Sequence, residues 1–182
     1  MSDSSAFRVL IEKIKAGQEV HQIKLPVSDT QLSPVFSKEI IDLHYGTLYK
    51  NYVKKALAGE GEFQVAGAHL HTLFFEQFQA PKSPNNPVDA AKILIENKFG
   101  DFQKLKDEIT ETALGIQGSG WVYLSTKGSI KTIANHKIVD DVAILIDCWE
   151  HAYQIDYKAD KEKYLKEIWK VMNWTIINAR LH

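Results

Sequence analysis

The stretch Ala143-Ile144-Leu145-Ile146-Asp147-Cys148-Trp149-Glu150-His151-Ala152-Tyr153 decides how this chain is read. Its apolar opening is short and has no helical spacing, which predicts a buried strand over 143–147. The run ends on a carboxylate, and an imidazole follows four residues later. Stranding an unpaired carboxylate in a core costs several kcal/mol, so Asp147 needs a strong partner. A metal ion shared with His151 is one such partner. With two more histidines from upstream, the site becomes a redox metal centre.

Outward from this strand, Trp121-Val122-Tyr123-Leu124 and the stretch 130–134 flank a Lys127-Gly128 turn and predict a β-hairpin. Ahead of the hairpin, Asn86-Pro87 offers an N-cap and first-turn pair for a helix through Lys98, closed by Gly100. Asp101 caps the next helix, which carries Phe102, Leu105 and Ile109 on one stripe and ends at Gly115. Further upstream the period is helical. Ile40, Ile41, His44, Leu48, Tyr52 and Leu57 mark a long helix over 37–58, stopped by Gly59. Phe63, Ala66, Leu70, Leu73, Phe74 and Phe78 mark a second over 62–79, ended by Pro81, Pro84 and Pro87. The short Gly-containing turn between them predicts an antiparallel hairpin.

Phe7, Leu10, Ile11 and Ile14 predict another helix over 5–16, and Leu165, Trp169, Met172 and Ile176 a final one over about 161–180. The fold class is α+β. A long N-terminal α-hairpin precedes a domain with a three-stranded antiparallel sheet and surrounding helices.

At 182 residues the chain can bury one sizeable core or two small layers. A net charge of -1 offers no global field to nucleic acid or an acidic membrane. No apolar stretch approaches the roughly 18 residues of a membrane span. The N-terminus lacks the basic and apolar regions of a secretory signal, so cytoplasmic residence is expected. The lone Cys148 excludes an intramolecular disulfide and a cysteine-rich zinc site, and beside a strand it reads as a small buried hydrophobe. No Gly-x-Ser-x-Gly, P-loop, dinucleotide fingerprint or His-Glu-x-x-His competes.

The histidines then need sorting. His182 is terminal and His21 lies in a polar stretch, so neither is favoured. His44, Leu48 and Tyr52 are spaced i, i+4 and i+8 on one helix face. A core histidine satisfied by a hydrogen bond is the commoner explanation of His44 alone, although a phenol two turns away suits a proton donor above a metal. On a helix His69 and His71 diverge by about 200°, so only one faces inward, and neighbouring residues weakly favour His71. His136 follows the second hairpin strand, where a lone histidine is more often solvent-facing. Three neutral imidazoles and one carboxylate leave one positive charge with a divalent metal and two with a trivalent one. That N/O donor set suits iron or manganese, which cycle between these states, whereas zinc does not.

Taken together, His44-Tyr45-Gly46 with Tyr52-Val53, His71-Thr72, Gly118-Ser119-Gly120-Trp121 and the 147–153 run resemble the iron/manganese superoxide dismutases. Asn173-Trp174 and Ala179-Arg180 extend the resemblance, which covers about residues 24–181. It implies an N-terminal extension over 1–23, a helical hairpin domain over 24–85 and an α+β domain over 86–182. It implies His44, His71, Asp147 and His151 as metal ligands, with water or hydroxide as the fifth, around one iron or manganese ion per subunit. Tyr52 matches the family's gateway tyrosine, and Trp121 and Trp149 match aromatic walls of the site. Glu150 matches a residue that reaches the partner subunit's metal-bound histidine, which implies a homodimer, with a tetramer as the larger assembly. The implied reaction takes superoxide as substrate: one molecule reduces M(III) and leaves as O2, and a second reoxidises M(II) and leaves as H2O2. Neither nucleic acid nor membrane is an expected partner.

The chain departs from the family pattern around this site. Iron enzymes usually carry a glutamine where Gly67 stands, and manganese enzymes carry one where His136 stands. His136 is therefore expected to take the glutamine's place as hydrogen-bond partner of the metal-bound solvent. Leu48 replaces a frequent histidine and Gln154 a tyrosine, so the relay between those positions is absent or rebuilt. Leu70 and Phe75 replace a more usual asparagine and tryptophan. A working dismutase with slower proton delivery is expected. The same departures suit an alternative, a metal-binding family member with weak or no dismutase activity. A mononuclear iron enzyme acting on an organic substrate is disfavoured by the small aromatic-walled site.

Overall fold

The computed structural model describes Glu12, Lys13 and residues 20–181. The helix expected over 5–16 lies outside the described residues except for Glu12 and Lys13, which are helical.

Helix α1 (Lys38–Leu43) starts where Ser37 Oγ accepts from Ile40 N at 3.2 Å. The chain runs on through a π-helical segment, His44–Tyr49, into α2 (Lys50–Leu57). The spacing predicts a regular α-helix here, and the π segment overturns that. A π turn adds one residue to the helical register. Residues five apart stand about 140° from each other on an α-helix, but the i→i+5 bond brings them onto one face. Hence the buried residues of the segment are His44 and Tyr49, while Leu48 is only half-buried.

A turn with Gly59 at φ 75° and Gly61 at φ 100°, both left-handed, leads into α3 (Glu62–Glu76). It packs against α2 to close the hairpin, with Leu70, Phe74 and Phe75 fully buried. Phe63, expected on the core stripe, is 43% exposed at the first turn.

Helix α4 (Asp89–Phe99) begins after the Asn86-Pro87 pair, with Val88 rather than Asn86 at the cap position. The expected local cap is replaced by a distant one: Asn178 Oδ1 accepts from Ala91 N at 2.7 Å. Helix α5 (Phe102–Leu114) is capped as its sequence suggests, by Asp101 Oδ1 on Lys104 N at 2.8 Å. Strands β1 (Gly120–Ser125), β2 (Ile130–Ala134) and β3 (Val142–Asp147) form an antiparallel sheet in the order β2-β1-β3. The expected α+β class is the observed one. β1 and β3 are buried throughout, and their register sets Trp121 opposite Asp147.

After β3 come a 3-10 turn (Glu150–Ala152) and α6 (Gln154–Tyr157), neither of which hydrophobic spacing predicts. The single final helix expected over 161–180 is broken. It becomes α7 (Lys161–Glu167), a 3-10 turn (Ile168–Val171) and α8 (Trp174–Arg180). Between them Met172 is extended. Gln79 N donates to Val171 O and Asn173 N to Gln77 O, both at 2.8 Å. The Gln79 and Asn85 side-chain amides donate to Met172 O at 2.9 and 2.8 Å. These partners replace helical bonds, and Asn173 then caps α8 through Thr175 N at 3.1 Å. The break shifts the register, so Ile177 rather than Ile176 is buried.

Arg180 on α8 ties both halves together. It donates to Leu73 O at 2.6 Å, Glu76 Oε1 at 2.7 Å and Ala143 O at 3.1 Å. The start of β3 is thereby held against the second helix of the hairpin.

Candidate metal centre

His44 opens the π segment, His71 lies on α3, Asp147 ends β3 and His151 sits in the following 3-10 turn. Asp147 Oδ2 is the hub of the four. It stands 3.1 Å from His44 Nε2, 3.2 Å from His151 Nε2 and 3.8 Å from His71 Nε2. Donor atoms of all four residues lie within 4.8 Å of one another. Ligand atoms about 2.0–2.2 Å from a common ion are about 3–4 Å apart, so the set fits one ion.

The protonation pattern suits the same purpose. Gly67 O can only accept, so His71 Nδ1 donates to it at 2.7 Å and Nε2 keeps its lone pair. Nε2 of His44 and of His71 are buried without a hydrogen-bond partner among the described residues. Burial lowers the pKa of both imidazoles and keeps them neutral. Burial alone would raise the Asp147 carboxyl, but the neighbouring His151 and His44 hold it well below the usual carboxylate range. Trp149 N also donates to Asp147 Oδ1 at 2.9 Å. An ionised carboxylate with the neutral imidazoles of His44 and His71 is a hard-to-borderline donor set.

Aromatic rings enclose the cluster. Trp121 is fully buried and stands edge-on to His71 at 5.1 Å. Trp149 stacks on His136 at 4.7 Å and on His151 at 5.5 Å. Tyr52 lies 5.0 Å from His71 and 4.9 Å from His136, ring centre to ring centre. A β-carbon added at Gly67 would come within 2.7 Å of the Tyr52 ring, so that glycine makes room for the phenol.

His136 is 5% exposed, against the solvent-facing position commoner for a loop histidine. Trp121 Nε1 donates to its Nδ1 at 3.2 Å. Burial lowers its pKa to about 4, so the ring is neutral near pH 7. With Nδ1 accepting, Nε2 carries the hydrogen. That Nε2 is buried with no partner among the described residues.

His69 is turned away from the cluster, with Nε2 at 3.4 Å from Val139 O. Glu150 is exposed, and with Leu43, Trp149, Gln154 and Lys161 it lines an open cleft beside His151. Sequence reasoning missed Phe63, whose ring lies 4.7 Å from His136 and 6.4 Å from Tyr52. The signal was available: Phe63, Gly67 and His71 are spaced four apart on α3.

A buried three-histidine, one-carboxylate donor set between a helical hairpin and a small antiparallel sheet defines a mononuclear metalloprotein. Residues 87–180 match the family model for the C-terminal domain of the iron/manganese superoxide dismutases. A mitochondrial manganese superoxide dismutase of Aspergillus fumigatus is 34% identical over 181 residues, covering 82% of this chain and 86% of the relative. An iron superoxide dismutase of Bacteroides fragilis is 30% identical over 191 residues, covering 87% of this chain and 97% of the relative. A manganese/iron superoxide dismutase of Porphyromonas gingivalis is 31% identical over 188 residues, with the same coverage, 87% and 97%. The chain belongs to the iron/manganese superoxide dismutase family.

Proposed function

We propose that this chain is a superoxide dismutase in which His44, His71, Asp147 and His151 hold one iron or manganese ion. The observation that carries the reading is Asp147 Oδ2, with three imidazole Nε2 atoms at 3.1, 3.2 and 3.8 Å. Held there, such an ion would supply one-electron chemistry between +3 and +2, which suffices to take one superoxide to O2 and, with two protons, the next to H2O2.

The chain's own groups hold and aim those protons. His136 presents Nε2–H as a donor and cannot accept there, because Trp121 occupies Nδ1. Burial raises the pKa of the Tyr52 phenol, so it stays protonated and acts as gateway donor above His71. Trp121 and Trp149 wall the donor set, and His151 keeps one edge on the open cleft. Leu48 offers no hydrogen-bonding atom where the family usually has a histidine, and Gln154 replaces a tyrosine. Proton delivery along that side is therefore slower than in a relay of titratable groups.

Glu150 is exposed at the cleft beside His151, which supports the family role of reaching the partner subunit in a homodimer. The tetramer is the larger assembly consistent with that dimer. We place the division of the chain at residues 23/24 and 85/86. Among the described residues no helix is long and apolar enough to cross a membrane. The proposed compartment is the cytoplasm.

The test is elemental analysis of iron- and manganese-reconstituted protein, followed by a superoxide-decay assay on each. One ion per chain and accelerated decay by at least one form are expected. Full occupancy with no acceleration by either form contradicts the proposal and leaves a metal-binding protein without the activity.

A further inference from the structure

Tyr49, the last residue of the π segment, is fully buried beside the donor set and has no part in the chemistry above. Its ring lies 13° from parallel to that of His71, with centroids 5.9 Å apart, and stacks on Phe75 at 5.7 Å. Its hydroxyl is 2.6 Å from Thr72 Oγ1, on the residue after His71. Thr72 gives its own hydrogen to Ala68 O at 2.9 Å, so it accepts from Tyr49. The phenol oxygen in turn accepts from Ile23 N at 3.1 Å, with His21 O at 3.2 Å as a second acceptor for its hydrogen.

One turn earlier, Tyr45 OH donates to Ile23 O at 2.7 Å, and Gln22 Nε2 donates to Tyr45 O at 3.0 Å. Both backbone groups of Ile23 are thus held by phenols of the hairpin. The π turn makes this possible, because it brings Tyr49 onto the inward face of His44. Among the described residues one hydrogen bond, from Nδ1 to Gly67 O, orients His71 within α3. A flat neighbour on the ring restricts the torsion that this bond leaves free.

We propose that Tyr49 is a positioning residue for His71, and that it makes the placement of this imidazole depend on the attachment of residues 21–23 to the hairpin. The proposal rests on the reading of His71 as a ligand, so its test includes metal-free protein. Tyr49→Phe keeps the ring and removes the hydroxyl. Thr72→Val removes the acceptor beside His71 but leaves Tyr49 on Ile23.

Three readouts apply to each variant: amide hydrogen exchange at Ile23, the 15N imidazole resonances of His71 in metal-free protein, and the release of manganese to a chelator. In Tyr49→Phe, Ile23 exchange rises about tenfold, the loss of one ordinary hydrogen bond. The His71 resonances shift, and manganese release speeds up about tenfold, at the low end for groups that support metal ligands. Thr72→Val reproduces the His71 and manganese effects while Ile23 stays protected. Ile23 still protected in Tyr49→Phe overturns the proposal. So does a freed Ile23 with His71 resonances unchanged. Failure of the wild-type chain to take up manganese contradicts the metal reading instead, and the His71 resonances still decide the role of Tyr49.

Discussion

Trp121 Nε1 donates to His136 Nδ1 across 3.2 Å, and this contact determines which nitrogen of His136 carries its hydrogen. The neutral ring therefore faces the site as a donor, where a glutamine amide could present either end. His136→Gln removes that constraint. The expected outcome is a shift in midpoint potential and a change of about tenfold or more in the ratio of iron-supported to manganese-supported activity. Potentiometry and paired activity measurements on both reconstituted forms check it. An unchanged potential and ratio would count against His136 as the tuning group.

The same residue shapes acid stability. Burial lowers its pKa to about 4 in the folded chain, against roughly 6.5 unfolded. Between those values the unfolded chain binds a proton that the folded chain does not, so stability rises with pH across that window. The slope from His136 is about 1.4 kcal/mol per pH unit. Urea titrations of metal-free protein from pH 4 to 7 should show His136→Gln losing one proton's worth of slope relative to wild type. Parallel curves would contradict the burial of a neutral imidazole at 136.

Gly67 and Tyr52 are coupled by shape. A β-carbon at 67 would meet the Tyr52 ring at 2.7 Å, so Gly67→Ala forces the phenol aside. The cost should be about 1–3 kcal/mol in chemical denaturation. In a Tyr52→Ala background most of that cost should vanish, a coupling that a double-mutant cycle isolates. A full cost that persists without the ring would show that another contact is responsible. A glutamine at 67 would meet the same ring through its β-carbon.

Restoring both halves of the usual relay, Leu48→His with Gln154→Tyr, should speed turnover under excess superoxide about tenfold, below the ~10²–10⁴-fold of well-positioned proton transfer. Stopped-flow decay over a pH range is the measurement. A rate that does not change, at any pH, would show that proton delivery on that side does not limit the reaction.

Much of this is legible in the residues. The apolar run before Asp147 announces β3, and the Lys127-Gly128 turn announces the hairpin that pairs with it, because strand burial and turn chemistry are local. The donor set needs the resemblance, since spacing alone leaves His69 and His71 open and places His136 in solvent. The elements that escape are those set by distant partners. The π turn adds a residue without altering the apolar pattern, so it hides that Tyr49, not Leu48, shares the face of His44. The break at Met172 depends on Gln77, Gln79 and Asn85, about a hundred positions away, and the α4 cap comes from Asn178. Helical spacing continues past both points and gives no warning.

The central claim is that the cluster around Asp147 turns superoxide over. The direct test is stopped-flow decay of a large excess of superoxide by metal-loaded protein, with Asp147→Asn as control. First-order decay proportional to protein, O2 and H2O2 in equal yield, and loss of both metal retention and decay in the control are predicted. A metal-loaded chain that leaves superoxide to its spontaneous second-order decay would contradict the account.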